Sequence, residues 1–230
     1  MMFFSRIQLN PQRRETRKLL ANPRAMHAAV EACFPPTGDS GAGARNLWRV
    51  DSDRAGARLY VVSPAAPDMR HLEENAGWTS SPAETTDYDR FLDGLMIGQE
   101  YSFRVTVNPV KRQFVPGGRG KLLPHLTEEQ QLSWFAERAP GWGFEPLEFP
   151  VGQGAPEESP EVMAMRVVQR HDRNFTKHDD VGRRTVTQRQ VTISGQLRVT
   201  SAELLKSHLT GGMGRGKAYG CGLMTLARTR

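Results

Sequence analysis

The chain has 230 residues, 24% of them charged and 38% hydrophobic, and carries a formal net charge of +6 with an isoelectric point near 9.7. The length allows one large domain or two small ones with real cores, and the basic balance favours a polyanionic partner. Two cysteines, Cys33 and Cys221, with no CxxC spacing speak against a structural zinc or a disulfide framework. No apolar run nears the ~20 residues that cross a bilayer, and Met1 to Leu9, interrupted by Ser5 and Arg6, is too short for a signal peptide. The expectation is a soluble protein of the reducing cytoplasm with no membrane partner.

Alternation of Phe3, Ser5, Ile7 and Leu9 predicts an opening strand. A helix follows. Asn22 can cap its start, Pro23 suits the first helical position, Met26, Ala29, Val30, Cys33 and Phe34 make its buried stripe, and Pro35-Pro36 end it. Strands are predicted over Asn46 to Val50 and Leu59 to Ser63, with turn-rich residues Asp51 to Gly56 between them. The acidic stretch Asp68 to Asp93 reads as irregular with a short helix, and Glu100 to Asn108 alternates as a strand through Tyr101, Phe103, Val105 and Val107. Strand, helix, two strands, helix, strand is the order of a ferredoxin-like domain.

Basic, glycine-rich residues follow from Lys111 to Lys121, after which Thr127 and Gln130 form a capping box that opens a helix to about Ala139. Strands are predicted at Phe144 to Val151, Val162 to Gln169 and Thr185 to Val199. Thr200 with Glu203 opens a helix to Leu209, and Leu223 to Ala227 closes the chain as a strand. The layout repeats, so the expected architecture is α+β with two tandem ferredoxin-like (RRM-like) domains, residues 1–112 and 124–230, joined by a basic linker or loop at 113–123.

Between Gly211 and Gly222 the chain places six glycines, Gly211, Gly212, Gly214, Gly216, Gly220 and Gly222, with the cations Arg215 and Lys217. Glycine reaches left-handed conformations that turn N–H groups toward an anion, so the segment reads as a backbone cradle for phosphate, with a plain flexible linker as the alternative. A nucleotide P-loop is disfavoured, because Ala218 stands where Ser or Thr should meet magnesium and the flanking elements come in the reverse order. A second basic feature runs from Arg166 to Arg198, where strand-forming residues alternate with Arg166, Arg170, Arg173, Lys177, Arg183, Arg184 and Arg189. It predicts a two-stranded ribbon that enters a nucleic-acid groove or tracks phosphates, or is simply a solvated face; Lys111, Arg112, Arg119 and Lys121 add a third basic group.

Arg24, His27 and Glu31 share the polar side of the first predicted helix, which makes His27 the candidate for proton transfer and Arg24 a charge beside it. His171 and His178, with Asp172, Asp179 and Asp180, read as a solvated hairpin tip in place of a metal site, and no G-x-S-x-G nucleophile motif is present. No cofactor or metal is expected.

Several motifs coincide in order: Leu20-Ala21-Asn22-Pro23-x-x-Met26-His27, Leu47-Trp48-Arg49, Asn108-Pro109-x-Lys111-Arg112 and Lys217-Ala218-Tyr219-Gly220-x-Gly222-Leu223. Together they resemble the CasE (Cse3) family of CRISPR RNA endoribonucleases over essentially the whole chain. The resemblance implies tandem ferredoxin-like domains, cleavage of repeat stem-loops in precursor crRNA, and retention of the product with the other subunits of the Cascade complex. By position, His27 is similar to the family's catalytic histidine and residues 211–222 to its glycine-rich signature. Arg24 stands where some members carry a tyrosine, so the second catalytic group is not given by the resemblance. A non-catalytic RNA-binding module of the same fold is the alternative reading.

Overall fold

The computed structural model describes residues 1–35, 45–53, 56–118, 120–149, 162–179 and 182–229. They form two compact units: Met1–Gly94 with Ser207–Leu223, and Leu95–Lys206 with Met224–Arg230.

In the first unit the chain runs through β1 (Phe3–Leu9), α1 (Arg14–Ala21), α2 (Pro23–Glu31), β2 (Leu47–Asp53), β3 (Gly56–Ser63), α3 (Arg70–Ala76), β4 (Glu84–Asp87) and α4 (Asp89–Leu92). The antiparallel sheet has the order β2-β3-β1-β4, the ferredoxin-like arrangement. Its core joins Ile7, Leu9, Leu59 and Val61 to Met26 and Val30 of α2 and Leu72 of α3. The start of α2 is as the residues dictate: Asn22 Oδ1 accepts from the backbone N–H of Arg24 at 3.0 Å and of Ala25 at 3.4 Å, and Pro23 takes the first turn.

Two elements escape the hydrophobic pattern. Helix α1 has few apolar residues because a hydroxyl helps to hold it: Thr16 is buried and donates to the carbonyl of Ala76 at 2.8 Å. Strand β4 is Glu-Thr-Thr-Asp, and it is fixed on β1 by polar cross-strand pairs. Ser5 Oγ lies 2.9 Å from Thr85 Oγ1, and Arg6 pairs with Glu84 at 2.8 Å.

The second unit contains β5 (Glu100–Val107), β6 (Val110–Arg112), β7 (Leu122–Pro124), α5 (Glu128–Ala136), β8 (Phe144–Pro146), β9 (Glu148–Phe149), β10 (Val162–Met163), β11 (Met165–Asp179), β12 (Gly182–Val199), the start of α6 (Ala202–Gly211) and β13 (Met224–Arg228). The main sheet has the order β11-β12-β5-β13, again ferredoxin-like, with β8 also paired to β12. Strand β5, which the order of elements assigned to the end of the first domain, opens this second sheet by pairing with both β12 and β13. Polar β4, paired with β1, fills the place in the first sheet that the alternation assigns to β5.

Helix α5 begins with Thr127, whose Oγ1 accepts from the N–H of Gln130 at 3.2 Å, while the Gln130 side chain turns back to the N–H of Leu126. For α6 the cap is Ser201, one residue later than expected, with the N–H of Leu204 donating to its hydroxyl at 3.4 Å. The carbonyl of Gly143 takes the N–H groups of both Thr200 and Ser201, and this delays the helix start. Phe135 of α5, fully buried, stacks on Phe103 of β5 at 5.5 Å between ring centroids and meets Trp142 at 5.3 Å and Phe144 at 5.9 Å. Because this ring is the hub of the cluster, Phe135→Ala should cost about 3–5 kcal/mol, read from urea unfolding followed by tryptophan fluorescence. A loss under about 1 kcal/mol would show that the cluster collapses around the gap.

Candidate nucleic-acid interface

The glycine-rich segment belongs to the first unit, and it lies along β2, the edge strand of that sheet. Gly212, Gly214, Gly216, Gly220 and Gly222 all have positive φ. At Gly212, Gly220 and Gly222 side-chain space is also absent. A Cβ on Gly220 would sit 2.6 Å from the Trp48 ring, and one on Gly212 would sit 2.8 Å from Leu47. The feet of the loop are joined by the N–H of Met213 donating to the carbonyl of Gly222 at 2.9 Å, and a 3-10 turn at Lys217–Tyr219 is closed by the N–H of Tyr219 on Gly216 at 2.8 Å. The segment is therefore a built loop with fixed feet, and the flexible-linker reading does not describe it.

Among the described residues no acceptor is found for the backbone N–H groups of Gly214 to Ala218. Five consecutive open amides, in a backbone turned by left-handed φ at Gly214 and Gly216, are donors available to an anion. The cations sit on it unequally. Arg215 is exposed, whereas the stem of Lys217 lies across Gly212 and Gly222. Burial, and then the charge of Arg45, lower the pKa of Lys217 from its ordinary value, so this ammonium gains from an arriving anion.

Helix α2, which carries the candidate proton-transfer residue, packs against the Lys217–Tyr219 turn. His27 is partly exposed on α2 with Arg24 exposed one turn earlier. Its Nδ1 is enclosed without a hydrogen-bond partner, and the Glu31 carboxylate stands 3.7 Å away, beyond hydrogen-bond reach. Glu31 is itself held by Asn46 Nδ2 at 3.1 Å. The cysteines offer no nucleophile in their place: both are buried, and burial, then Asp68 and Glu31, push the Cys33 thiol up to about 12. No group of three or more His, Cys, Asp or Glu among the described residues is placed to hold a metal ion.

The other basic groups lie in the second unit. Lys111, Arg112 and Lys121 are exposed on the β6–β7 hairpin, and Arg119 lies outside the described residues. Phe114, 87% exposed on the same hairpin, had no signal in the sequence because a lone aromatic in a glycine-rich turn reads as a packing residue. The predicted ribbon is present as β11 and β12, paired from Met165 with Gly195 to Asp179 with Gly182. Its cations divide. Arg166 is exposed, but Arg170 pairs with Glu128 at 2.8 Å, and Arg189 holds both oxygens of Asp172 at 2.7 Å. The hydrogen bond from Arg189 lowers the Asp172 carboxyl below its ordinary value. Burial lowers the pKa of Arg173. The side chains of Lys177, Arg183 and Arg184 lie outside the described ones.

Two ferredoxin-like units thus make up the chain, and one of them carries a glycine loop of open amides packed against a capped helix that bears a histidine. The chain belongs to the CRISPR-associated protein family, whose profile matches residues 2–228. It is 28% identical over 228 residues, 98% of this chain and 100% of the other, to the CRISPR-associated endoribonuclease Cse3 of Thermus thermophilus. The fold is similar to that of a CRISPR endoribonuclease Cse3 bound to a 19-nucleotide RNA, with a TM-score of 0.76, 25% identity, and coverage of 98% of this chain and 99% of that one. A Thermus thermophilus Cse3 bound to an RNA representing a pre-cleavage complex matches with a TM-score of 0.73 and 25% identity over 98% of each chain.

The approach of the loop to β2 has a direct test. Gly220→Ala puts a methyl group into the Trp48 ring at a φ of +84°, so stability should fall by about 1–3 kcal/mol, with a change in tryptophan emission. Wild-type stability and emission together would show that the loop is free to lift from the strand.

Proposed function

We propose that the chain is a CRISPR RNA endoribonuclease that binds repeat stem-loops in precursor crRNA, cleaves them by attack of a ribose 2′-hydroxyl, and keeps the product within Cascade. The observation that carries this reading is the packing of the His27 helix against a loop whose amides are open to an anion. Relatives named as endoribonucleases and solved with RNA support it.

The reaction asks little of the protein beyond placement. The 2′-oxygen bonds to the adjacent phosphorus, the bond to the 5′-oxygen breaks, one proton leaves the nucleophile and one reaches the leaving oxygen. The ends are a 2′,3′-cyclic phosphate and a 5′-hydroxyl. As a neutral imidazole His27 takes the first proton, and as an imidazolium it supplies the second. With Nδ1 enclosed, Nε2 is the ring nitrogen proposed to serve the RNA. Arg24 and the loop cations Arg215 and Lys217 balance the charge that gathers on the phosphate, and the loop amides hold it in line. No step in this scheme is assigned to a metal ion.

The exposed cations Lys111, Arg112, Lys121 and Arg166 are proposed to contact the stem's phosphates, with Arg119, Lys177, Arg183 and Arg184 alongside them. Arg170, Arg173 and Arg189 would join only by exchanging or sharing the protein environment described above.

Mixing the protein with a labelled repeat hairpin in EDTA separates the readings. Cleavage is expected, whereas binding without cleavage would identify a non-catalytic RNA module. His27→Ala should lower the single-turnover rate by ~10²–10⁴ and leave hairpin affinity within a few-fold, since proton transfer contributes to the rate and little to ground-state binding. A wild-type rate in that variant would remove His27 from the mechanism.

A further inference from the structure

We propose that Arg49 is a positioning residue for RNA cleavage, holding the glycine loop in its anion-binding shape without touching the RNA. The proposal rests on the function proposed above and adds a residue to it.

Among the described residues Arg49 is the largest fully buried side chain, with 1% exposure, and it lies on the edge strand β2. Burying a guanidinium is costly unless every donor is answered. Here Asp51 and the carbonyl of Leu223 are among the groups that answer it. Its Nε and Nη2 meet Asp51 Oδ1 and Oδ2 at 2.7 and 2.9 Å, a fork-to-fork pair two residues along the same strand. Its Nη1 donates to the carbonyl of Leu223 at 2.9 Å, and the guanidinium lies over the ring of Tyr60, its cross-strand neighbour on β3, at 5.3 Å.

Leu223 directly follows Gly222, the residue that closes the foot of the loop through Met213. The ion pair sets the direction of Nη1, and Nη1 fixes the carbonyl on which the loop ends. The two residues before Arg49 support the same loop from below, Trp48 under Gly220 and Leu47 under Gly212. Three consecutive residues of β2, on alternating faces of the strand, thus meet the loop segment. The first two act by shape and are hydrophobic, as any strand might be. The third is a charge that a core does not need, and its geometry ends on the loop.

Lysine cannot do this work. It has no fork, so one ammonium cannot hold both Asp51 oxygens and the Leu223 carbonyl in a fixed plane. Arg49→Lys therefore keeps the charge and releases the loop. Removing the charge alone would strand Asp51, so the companion variant is Arg49→Met/Asp51→Leu, which replaces the pair by apolar groups of similar size and keeps the fold.

The test measures repeat-hairpin binding and single-turnover cleavage in wild type and both variants, with hydrogen exchange at the Met213 amide as a readout that needs no RNA. Both variants should melt as folded proteins, exchange Met213 faster, and bind the hairpin roughly ten- to a hundredfold more weakly, the scale of a lost hydrogen bond to a charged group. The slope of log affinity against log salt should flatten although Arg49 itself is inaccessible, because loop contacts to phosphate are lost. At saturating RNA the single-turnover rate should fall as well, by roughly tenfold or more, because the amides that hold the phosphate in line are released, while the salt slope and Met213 exchange set this apart from mere destabilisation. Folded variants with wild-type exchange, affinity and salt slope overturn the proposal and leave the endoribonuclease reading intact. A wild-type protein that does not bind the hairpin overturns that reading, and this proposal with it.

Discussion

The organisation of the first unit depends on how closely the backbone of the glycine loop approaches the edge strand β2. At Gly220 there is no room for even a methyl group above Trp48, and at Gly212 none beside Leu47. This contact does two jobs. An uncovered edge strand is open to unwanted pairing, and the loop covers it. The same contact presses the loop against the face of Trp48, whose ring shares a core with Met26 and Val30 of α2. The helix that carries His27 and the loop that offers its amides are thereby fixed by one aromatic side chain. Neither would hold its place from local sequence preference alone, since α2 has only nine residues, too short to be stable in isolation.

Both units share one topology but use it differently. In the first, polar surface is concentrated at a helix start and in a loop, where backbone donors do the work that side chains do elsewhere. In the second, long strands carry arginines, and acids of the same unit answer some of them: Glu128 for Arg170 and Asp172 for Arg189. Such exposed pairs add little to stability, and an arriving phosphate can replace the carboxylate at modest cost. They keep the ribbon's side chains ordered in the meantime.

Much of this was legible in the sequence where residues act locally. Asn22-Pro23 places the start of α2, and the spacing of Arg24, His27 and Glu31 places them on its outer face, both as found. The glycine run announced the positive φ found at Gly212, Gly214, Gly216, Gly220 and Gly222, and the alternation over Glu100 to Asn108 announced β5. What stayed hidden depends on partners distant in sequence. Thr16 needs the carbonyl of Ala76 to make α1, Thr85 needs Ser5 to make β4, and without β4 the next strand was assigned to the wrong sheet. Arg49 is the clearest case. In the sequence it is one charged residue on a strand, and only its bond to Leu223, 174 positions away, shows why it is buried.

The central claim is that the RNA supplies its own nucleophile while His27 and the glycine loop place and serve it. Replacing the single nucleotide immediately 5′ of the cut by its 2′-deoxy form removes one oxygen and leaves the stem, the phosphates and the protein unchanged. Cleavage should stop, while affinity should fall by no more than about 0.5–1.5 kcal/mol, the worth of one hydroxyl's hydrogen bond. Continued cutting of the deoxy substrate, or products that carry a 5′-phosphate, would mean that water attacks, and would contradict both the mechanism and the role given to His27.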